Sequence, residues 1–585
     1  MYADLADELM REAELYGTGS LTGTWIDEFR ETPVFREYHK FYQTGDPMLL
    51  QFLLSFLLFG KKLKYKSQAW HEVAFCDWVE NEENLRNLSF DRHDTDILRG
   101  IVTYLMSTYY ASAFHPRFGG GAVAERGVRG DLDKVKSFVD HPFLDIVRER
   151  SLDKEPDREF ARNQFSFGKG ARTGGKLPRL ASRLKFVPKS ITSARSICME
   201  PNAVMFTQQA VLRWFREAMD DGPISQFVDL RDQSINRVMA HYGSYTGDID
   251  TLDLKSASDL VSFQLVKRIF PKRILHDLAL TRTTYVELPG GKIHKMVKFA
   301  PMGSALCFPV QCIIFTSISV YAAMLHSGWL NTHSTTPGKG VSPNEVRWFI
   351  EHHFSKSVGY IHPNLKLYQP LCVYGDDICV DSRLTDTLTT LLLRFGFKVN
   401  VNKTFAGSKA IRESCGGYYF AGYDVTPIRY SLPGKTHPRD AVWYASCIAL
   451  TNRAGDMSFL SLRKFLLNSV IMDGARKMPF LFTERNDLPY GLTTKVPRND
   501  HLRLVTEVDK QPKGAHNRDY QHEEVQCFTF AYEQSQISPG GDYDIYLYGR
   551  WWATRTDESK LGLLKGSRIH RVTAGSRLKL VWFPV

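Results

Sequence analysis

Apolar residues recur at three- and four-residue spacing over Asp96 to Tyr109 and Lys134 to Val147, so the first 150 residues are expected to be mainly helical. The same period returns over Ala203 to Ala218 and over the Leu-rich stretch Leu384 to Phe395, which Gly396 closes. Thr251 to Leu254, Leu371 to Tyr374 and Leu184 to Val187 are short apolar, β-prone runs and predict strands. Tyr285 to Phe299 predicts a hairpin turning at Pro289-Gly290-Gly291. After about Pro427 the pattern weakens, and a last helical lobe is expected there. Helix, strand and hairpin thus mix along one chain, which points to an α+β architecture. No internal repeat or low-complexity tract interrupts it.

Two uncharged runs need a decision. Met48 to Phe59 is followed by Lys61, Lys62, Lys64 and Lys66, but it is shorter than the ~20 residues that cross a bilayer, so a buried helix with a basic end is expected. Phe299 to Leu325 is long enough to span. Pro301, Gly303, Ser304, Pro309, Gln311, Thr316 and Ser317 interrupt it, and a helix buried in a large core fits better than a membrane span.

Composition narrows the class. The 585 residues are 43% hydrophobic, 12% aromatic and 24% charged, which excludes wholesale disorder and fibrous repeats. The formal charge of +11 calls for an anionic partner, nucleic acid or a membrane surface. Position decides between them. From Phe160 to Met199 the chain carries Arg162, Lys169, Arg172, Lys176, Arg179, Arg183, Lys185, Lys189 and Arg195 and no acid, so this run alone holds +9. Gly168, Gly170, Gly174 and Gly175 within it would let backbone amides approach phosphates. A second basic run, Arg550 to Val585, holds +6, which leaves −4 for everything else. Around its start stand Tyr543, Tyr546, Tyr548, Trp551 and Trp552, aromatic rings suited either to stacking on bases or to packing a terminal strand pair. The nine cysteines are odd in number and include no C-x-x-C, so they read as reduced core residues. The acidic start, Met1-Tyr-Ala-Asp, is unlike a secretory signal.

The sharpest chemical signal is Leu371-Cys-Val-Tyr-Gly-Asp-Asp-Ile-Cys-Val380. Two apolar runs flank Gly375-Asp376, a dipeptide suited to a tight turn, so Asp376 and Asp377 are expected at the tip of a rigid strand pair. Adjacent carboxylates repel, and sharing divalent cations is a common reason to place them so. Asp253 closes another short strand. Paired beside the hairpin, Asp253 and Asp376 could hold two Mg²⁺ ions, one activating a 3′-hydroxyl and the other holding a triphosphate. Asp259, six residues on, suits a helix cap as well as it suits a site. Lys189 and Arg195 lie on a Pro- and Ser-containing loop where they could neutralise a triphosphate. Gly303 and Ser304 form a turn feeding the uncharged helix, and Lys403 could protonate a departing pyrophosphate.

In this order, the basic loop, the Asp253 strand, the Gly303 turn, the Tyr374-Gly-Asp-Asp377 hairpin and Lys403 resemble the F, A, B, C and D motifs of right-handed viral RNA-dependent RNA polymerases. More narrowly, Phe186-Val-Pro-Lys189, Asp232-Gln-Ser-Ile-Asn236, Leu252-Asp-Leu-Lys-Ser-Ala-Ser-Asp259, Arg412-Glu-Ser-Cys-Gly416 and Val425-Thr-Pro427 resemble the catalytic (beta) replicase subunit of the positive-strand RNA bacteriophages, the leviviruses. The resemblance covers roughly Ser166 to Pro427. Met302-Gly-Ser-Ala305 and Phe308-Pro-Val-Gln311 stand where better-known phage replicases have Met-Gly-Asn-Gly and Phe-Glu-Leu-Glu, which marks a distant member and makes Ser304 the substitute for the ribose-contacting Asn.

The resemblance implies an α+β right-handed polymerase fold with fingers, a palm of antiparallel sheet plus helices, and a thumb. Its division would be an N-terminal helical fingers region (1–150), fingers with a basic NTP-entry loop (151–247), a palm (248–430, with a hairpin insertion at about 271–298), and a thumb with a basic C-terminal segment (431–585). It implies RNA synthesis from RNA by two-metal-ion nucleotidyl transfer with unprimed initiation. Asp253, Asp376 and Asp377 would form the metal site, with Asp253 and Asp376 as direct ligands of two Mg²⁺, for which Mn²⁺ can substitute. Asp259 would read the ribose 2′-hydroxyl, and Lys189, Arg195, Gly303 and Ser304 would complete the NTP site. Lys403 would be the general acid, and Arg412, Glu413, Ser414, Cys415 and Gly416 would lie at the RNA priming end. Implied partners are template and product RNA, NTPs, the host elongation factors Tu and Ts and ribosomal protein S1, in the cytoplasm of an infected bacterium.

Two rivals remain. A reverse transcriptase uses a similar Asp-Asp hairpin, but Gly375 and the polar Asp259 argue for ribonucleotides. A non-catalytic RNA-binding protein would need only the basic runs, and it predicts that Asp376→Asn is silent.

Overall fold

The computed structural model describes residues 43–62, 67–112, 116–128, 133–134, 181–190, 193–333, 340–354, 371–407, 410–429 and 441–456, with residues 459, 462–463, 466, 481–483, 491–493, 514–517, 522–532 and 576–584 beyond them. The glycines of the first basic run, nearly all of the Lys134 to Val147 stretch and the aromatic cluster at 543–552 lie outside the described residues.

Three helices open the described chain: α1 (Pro47–Leu58), α2 (Gln68–Asn87) and α3 (Arg92–Leu105). Side-chain caps fix two of their starts, Asp46 accepting from the Met48 N–H at 2.8 Å and Asp91 from the Asp94 N–H at 3.1 Å. A strand pair follows, β1 (Ala181–Pro188) and β2 (Ala194–Met199), then helices α4 (Asn202–Asp221) and α5 (Ser234–Thr246). Strand β3 (Ile249–Lys255) leads through a short 3₁₀ turn (Ala257–Leu260) to α6 (Phe263–Ile269) and α7 (Lys272–Leu280). The predicted hairpin is β4 (Tyr285–Glu287) and β5 (Ile293–Lys295). After it come α8 (Cys307–His326), α9 (Trp329–His333) and α10 (Pro343–His353). The predicted acidic hairpin is β6 (Leu371–Tyr374) and β7 (Asp377–Asp381), followed by α11 (Thr385–Arg394), β8 (Lys398–Val399), β9 (Ile411–Ser414), β10 (Gly417–Phe420), β11 (Tyr423–Asp424) and α12 (Ala441–Asp456).

The α+β expectation is borne out. One sheet has the order β6-β7-β3-β8 with antiparallel neighbours, and a second has the order β11-β10-β9. A third joins β2-β1-β4-β5, with β1 and β4 parallel. Behind the first sheet runs α8, apolar on every face. It has the length and apolarity of a membrane span, and the fold buries it against α3 and α11. Its Tyr321 hydroxyl donates to Asp94 of α3 at 2.6 Å, and Phe315 packs edge-on against Phe397 with ring centroids 4.9 Å apart. In α1, Leu53 and Leu58 are buried while Met48 and Phe52 remain exposed, so only one stripe of that helix enters the interior.

Two local expectations change. Arg195 does not lie in a loop: it stands on β2, opposite Val187, because Ala194 to Met199 pairs with the strand before it. The region after Pro427 is not simply helical either. Beyond α12 its described residues include the antiparallel strands Gly514–Asn517, His522–Tyr532 and Ser576–Pro584. The alternation of Arg577 and Lys579 with Leu578 and Leu580 is the period-two signal for the last of these.

Candidate active site

The register of the first sheet builds the site. Asp253 at the end of β3 and Asp377 at the start of β7 are direct cross-strand partners, and Asp376 occupies the two-residue turn between β6 and β7. Gly375 takes φ +66° in that turn, and its N–H reaches Cys312 Sγ on α8 at 3.2 Å. The neighbouring Tyr374 packs edge-on against Phe308 of α8, with centroids 5.0 Å apart. The turn is therefore pinned to the buried helix. Asn236 of α5 secures its other side, donating to the Asp377 carbonyl at 3.3 Å and accepting from the Cys372 thiol at 3.0 Å.

Around the acids stand two cations. Lys403 Nζ is 3.5 Å from Asp253 Oδ1, and Asn400 Nδ2 donates to Asp253 Oδ2 at 2.6 Å. Burial would lower Lys403, but the charges of Asp253, Glu413, Tyr418 and Asp377 outweigh it and hold the ammonium above its usual range. Lys189, just past the end of β1, is lowered by burial first and then by Arg195 and Lys403, against the opposing pull of Asp253 and Asp376. The carboxylates answer in kind. Asp377 is pushed up to about 7 by burial and then by Asp376, Glu413 and Asp253. Asp376 projects at the tip, yet the protein displaces much of its water and, with the Asp253 charge, raises it. Burial likewise raises Glu413, Lys403 opposing. The pocket thus holds more negative charge than its lysines neutralise.

Such a donor set fits a divalent cation. Among the described residues no three His, Cys, Asp or Glu side chains are gathered at ligand spacing. Mg²⁺ does not require that, since it is commonly held by one or two carboxylates together with substrate phosphates and water. Asp253, whose oxygens contact Asn400 and Lys403, and the exposed Asp376 at the turn are carboxylates that could serve in such a role.

The remaining expected residues fall into groups. Gly303, at φ +123°, presses one face against β2, where a Cβ would meet the Cys198 carbonyl oxygen at 2.0 Å. The Ser304 hydroxyl accepts the Leu306 N–H at 3.3 Å, at the start of α8. Asp259 is held by Lys298 Nζ at 3.0 Å and by the Ser196 hydroxyl at 3.1 Å. Glu413, Ser414, Cys415 and Gly416 belong to the β9–β10 hairpin beside Asp377, with positive φ at both Cys415 and Gly416 as a two-residue turn of this kind requires. Arg237 of α5 clasps that turn through the Cys415 carbonyl at 3.0 and 3.2 Å.

Arg412 corrects the expectation of an RNA contact. Its side chain is fully buried and bonded to Asp250 at 3.0 Å and to the carbonyls of Ile249 and Gly407 at 2.6 and 2.9 Å, so it ties β9 to β3 and presents nothing to a ligand. Sequence reasoning also missed Lys298, Asn400 and Asn236 as supporting residues. Asn400 had a local signal, three positions before Lys403. Lys298 had none, since its partners are 39 and 216 residues away.

Comparison with known proteins follows the same elements. The chain is 31% identical to the RNA-directed RNA polymerase beta chain of Escherichia phage MS2 over 247 residues, 42% of this chain and 37% of that one. It is 30% identical to the namesake of Enterobacteria phage fr over 350 residues, 58% of this chain and 55% of that one. The chain spans from about a third to about half the length of the curated relatives it matches. A solved structure, the RNA-dependent RNA polymerase of a human picorbirnavirus, aligns over 76% of this chain and 84% of its own at 10% identity and a TM-score of 0.41. The family model described as RNA replicase, beta-chain matches residues 77–334 and 345–433, well over half of the sequence and all of the strands and helices that carry the acids and Lys403. This chain therefore belongs to the RNA replicase beta-chain family.

Proposed function

We propose that this chain is an RNA-dependent RNA polymerase that replicates a positive-strand RNA phage genome by nucleotidyl transfer, starting without a primer. The observation that carries the proposal is the pairing of Asp253 with Asp377 across β3 and β7, with Asp376 at the adjoining turn and Lys403 beside them. In the reaction a 3′-hydroxyl gives its proton to solvent as its oxygen bonds to the α-phosphorus of an incoming NTP, and the bond from that phosphorus to the bridging oxygen breaks to release pyrophosphate. Two Mg²⁺, or Mn²⁺ in their place, held by Asp253 and Asp376 with Asp377 at hand, would supply Lewis-acid stabilisation of the attacking and leaving oxygens.

The chain's own residues do the rest. Lys189 and Arg195 counter the triphosphate charge. Lys403, kept protonated by its acidic neighbours, hands its proton to the leaving pyrophosphate oxygen. Asp259 accepts from the ribose 2′-hydroxyl, Gly303 lets a backbone pass close, and residues 413–416 sit under the priming end. In this reading residues 1–247 are fingers, 248–430 palm and 431–585 thumb. Template and product RNA, NTPs, elongation factors Tu and Ts and ribosomal protein S1 are its partners in the bacterial cytoplasm.

The test is RNA synthesis by the full chain purified from a bacterial host, with and without Mg²⁺. Wild type is expected to extend RNA with NTPs, and Asp376→Asn to bind RNA but make none. Preferential use of dNTPs, or full synthesis by Asp376→Asn, would overturn the reading.

A further inference from the structure

Lys298 is a fully enclosed charge outside the acid pocket. Its side chain has no exposure, its ammonium lies 4.4 Å from the Trp78 ring, and its two ionic partners are Asp259 at 3.0 Å and Glu82 at 3.7 Å. A buried ammonium needs partners for its donors, and these supply them. Its mount is rigid. The neighbouring backbone pairs with the segment after Asp259, Phe263 N–H reaching the Val297 carbonyl at 3.1 Å and Phe299 N–H the Val261 carbonyl at 2.7 Å. From behind, the buried Arg282 guanidinium grips the carbonyls of Met296, Lys298 and Phe299 at 2.8–2.9 Å. Glu82 of α2 adds a third hold, accepting from the Val297 and Lys298 N–H groups at 2.8 and 3.3 Å.

That rigidity is delivered to one carboxylate. Lys298 takes Asp259 Oδ1 and the Ser196 hydroxyl takes Oδ2. A carboxylate offers about four acceptor sites, so the two donors fix its plane and leave acceptor capacity on the sliver of Asp259 that solvent still reaches. We infer that Lys298, with Ser196, is the positioning residue for sugar selection. It holds Asp259 in one orientation, so that its open lone pairs meet a ribose 2′-hydroxyl and find no donor on a deoxyribose. Lys298 follows the β4–β5 hairpin, and Glu82 of α2 holds its backbone N–H in place. A site built to hydrogen-bond a hydroxyl discriminates strongly against the analogue lacking it, and only while its polar group is held in register.

The inference rests on the polymerase reading, and one assay separates the two. Full-length wild type, Lys298→Met, Lys298→Arg and Ser196→Ala are compared for single-nucleotide incorporation of UTP and dUTP opposite the same template base, with kcat and KM determined for each. Lys298→Met is expected to lower the UTP-to-dUTP ratio of kcat/KM by about tenfold, mainly through the KM for UTP, and Lys298→Arg to restore part of it. A parallel loss for both nucleotides, with the ratio intact, would mean a merely structural lysine and would overturn the inference. If Lys298→Met does not fold, Ser196→Ala decides, because it frees one oxygen and keeps the ion pair: a several-fold fall in the ratio supports the inference and an unchanged ratio overturns it. Wild type that incorporates neither nucleotide would instead sink the polymerase reading.

Discussion

Asn400 grips Asp253 twice, its side-chain amide donating to Oδ2 at 2.6 Å and its backbone N–H to the Asp253 carbonyl at 2.8 Å. The first bond orients the carboxylate and the second holds its strand against β8. Hydrogen bonds to charged groups contribute about 1.5–3 kcal/mol, so Asn400→Ala is expected to cut kcat by about tenfold or more while the KM for NTP moves less. Asn400→Asp should be worse, because it sets a like charge against Asp253. Pre-steady-state nucleotide addition measures both, and an unaltered kcat in Asn400→Ala would remove Asn400 from the machinery.

Two glycines make contrasting demands. A Cβ on Gly303 would strike the Cys198 backbone oxygen, whereas one on Gly375 would strike the Phe308 ring at 2.5 Å. Both also sit at positive φ, which costs an L-residue about 1–2 kcal/mol before any clash. Gly375→Ala should therefore be partly rescued by Phe308→Leu, because a side chain can yield. Gly303→Ala should find no such single rescue and should lower the thermal midpoint further. Equal melting losses for the two alanine variants would contradict the packing described here.

The inward turn of Arg412 predicts a stability phenotype without a selective RNA-binding one. Removing one partner of a buried ion pair costs about 3–5 kcal/mol, and Arg412→Met would also take a donor from the carbonyls of Ile249, Gly407 and Ile411. Denaturant unfolding should show that loss, and Asp250→Asn in the same chain should recover part of it. A stable Arg412→Met protein that fails only to bind RNA would instead return Arg412 to the priming end.

Glu200 sets a pH dependence. Burial raises its carboxyl to about 7, against the opposing help of Thr283, Gln208 and Arg282. The folded chain then keeps a proton that the unfolded chain releases near pH 4.5. This group's contribution to stability is full below that value and is lost as pH rises through about 7. Glu200→Gln, which keeps the shape and carries no charge, should flatten the fall in stability between pH 5 and 8. Parallel pH–stability curves for the two proteins would refute the assignment.

Much of this was legible locally. The acidic hairpin, the Asp253 strand and α11 with its Gly396 stop each declare themselves within about a dozen residues, through turn chemistry and hydrophobic period. What escaped was long-range pairing. Lys298 and Arg412 look like any other base in a one-dimensional reading, and only the fold reveals that one faces Asp259 and the other Asp250.

The burial of α8 also imposes a schedule on synthesis. Its cover comes from α3, made long before it, and from α11, whose first residue follows His326 by about 60 positions. At roughly 5–20 residues per second, the ribosome leaves this oily rod half-clothed for several seconds or more. A nascent chain stalled in that interval would display the segment that most resembles a membrane anchor, so aggregation and chaperone capture should peak for chains that end between α8 and α11.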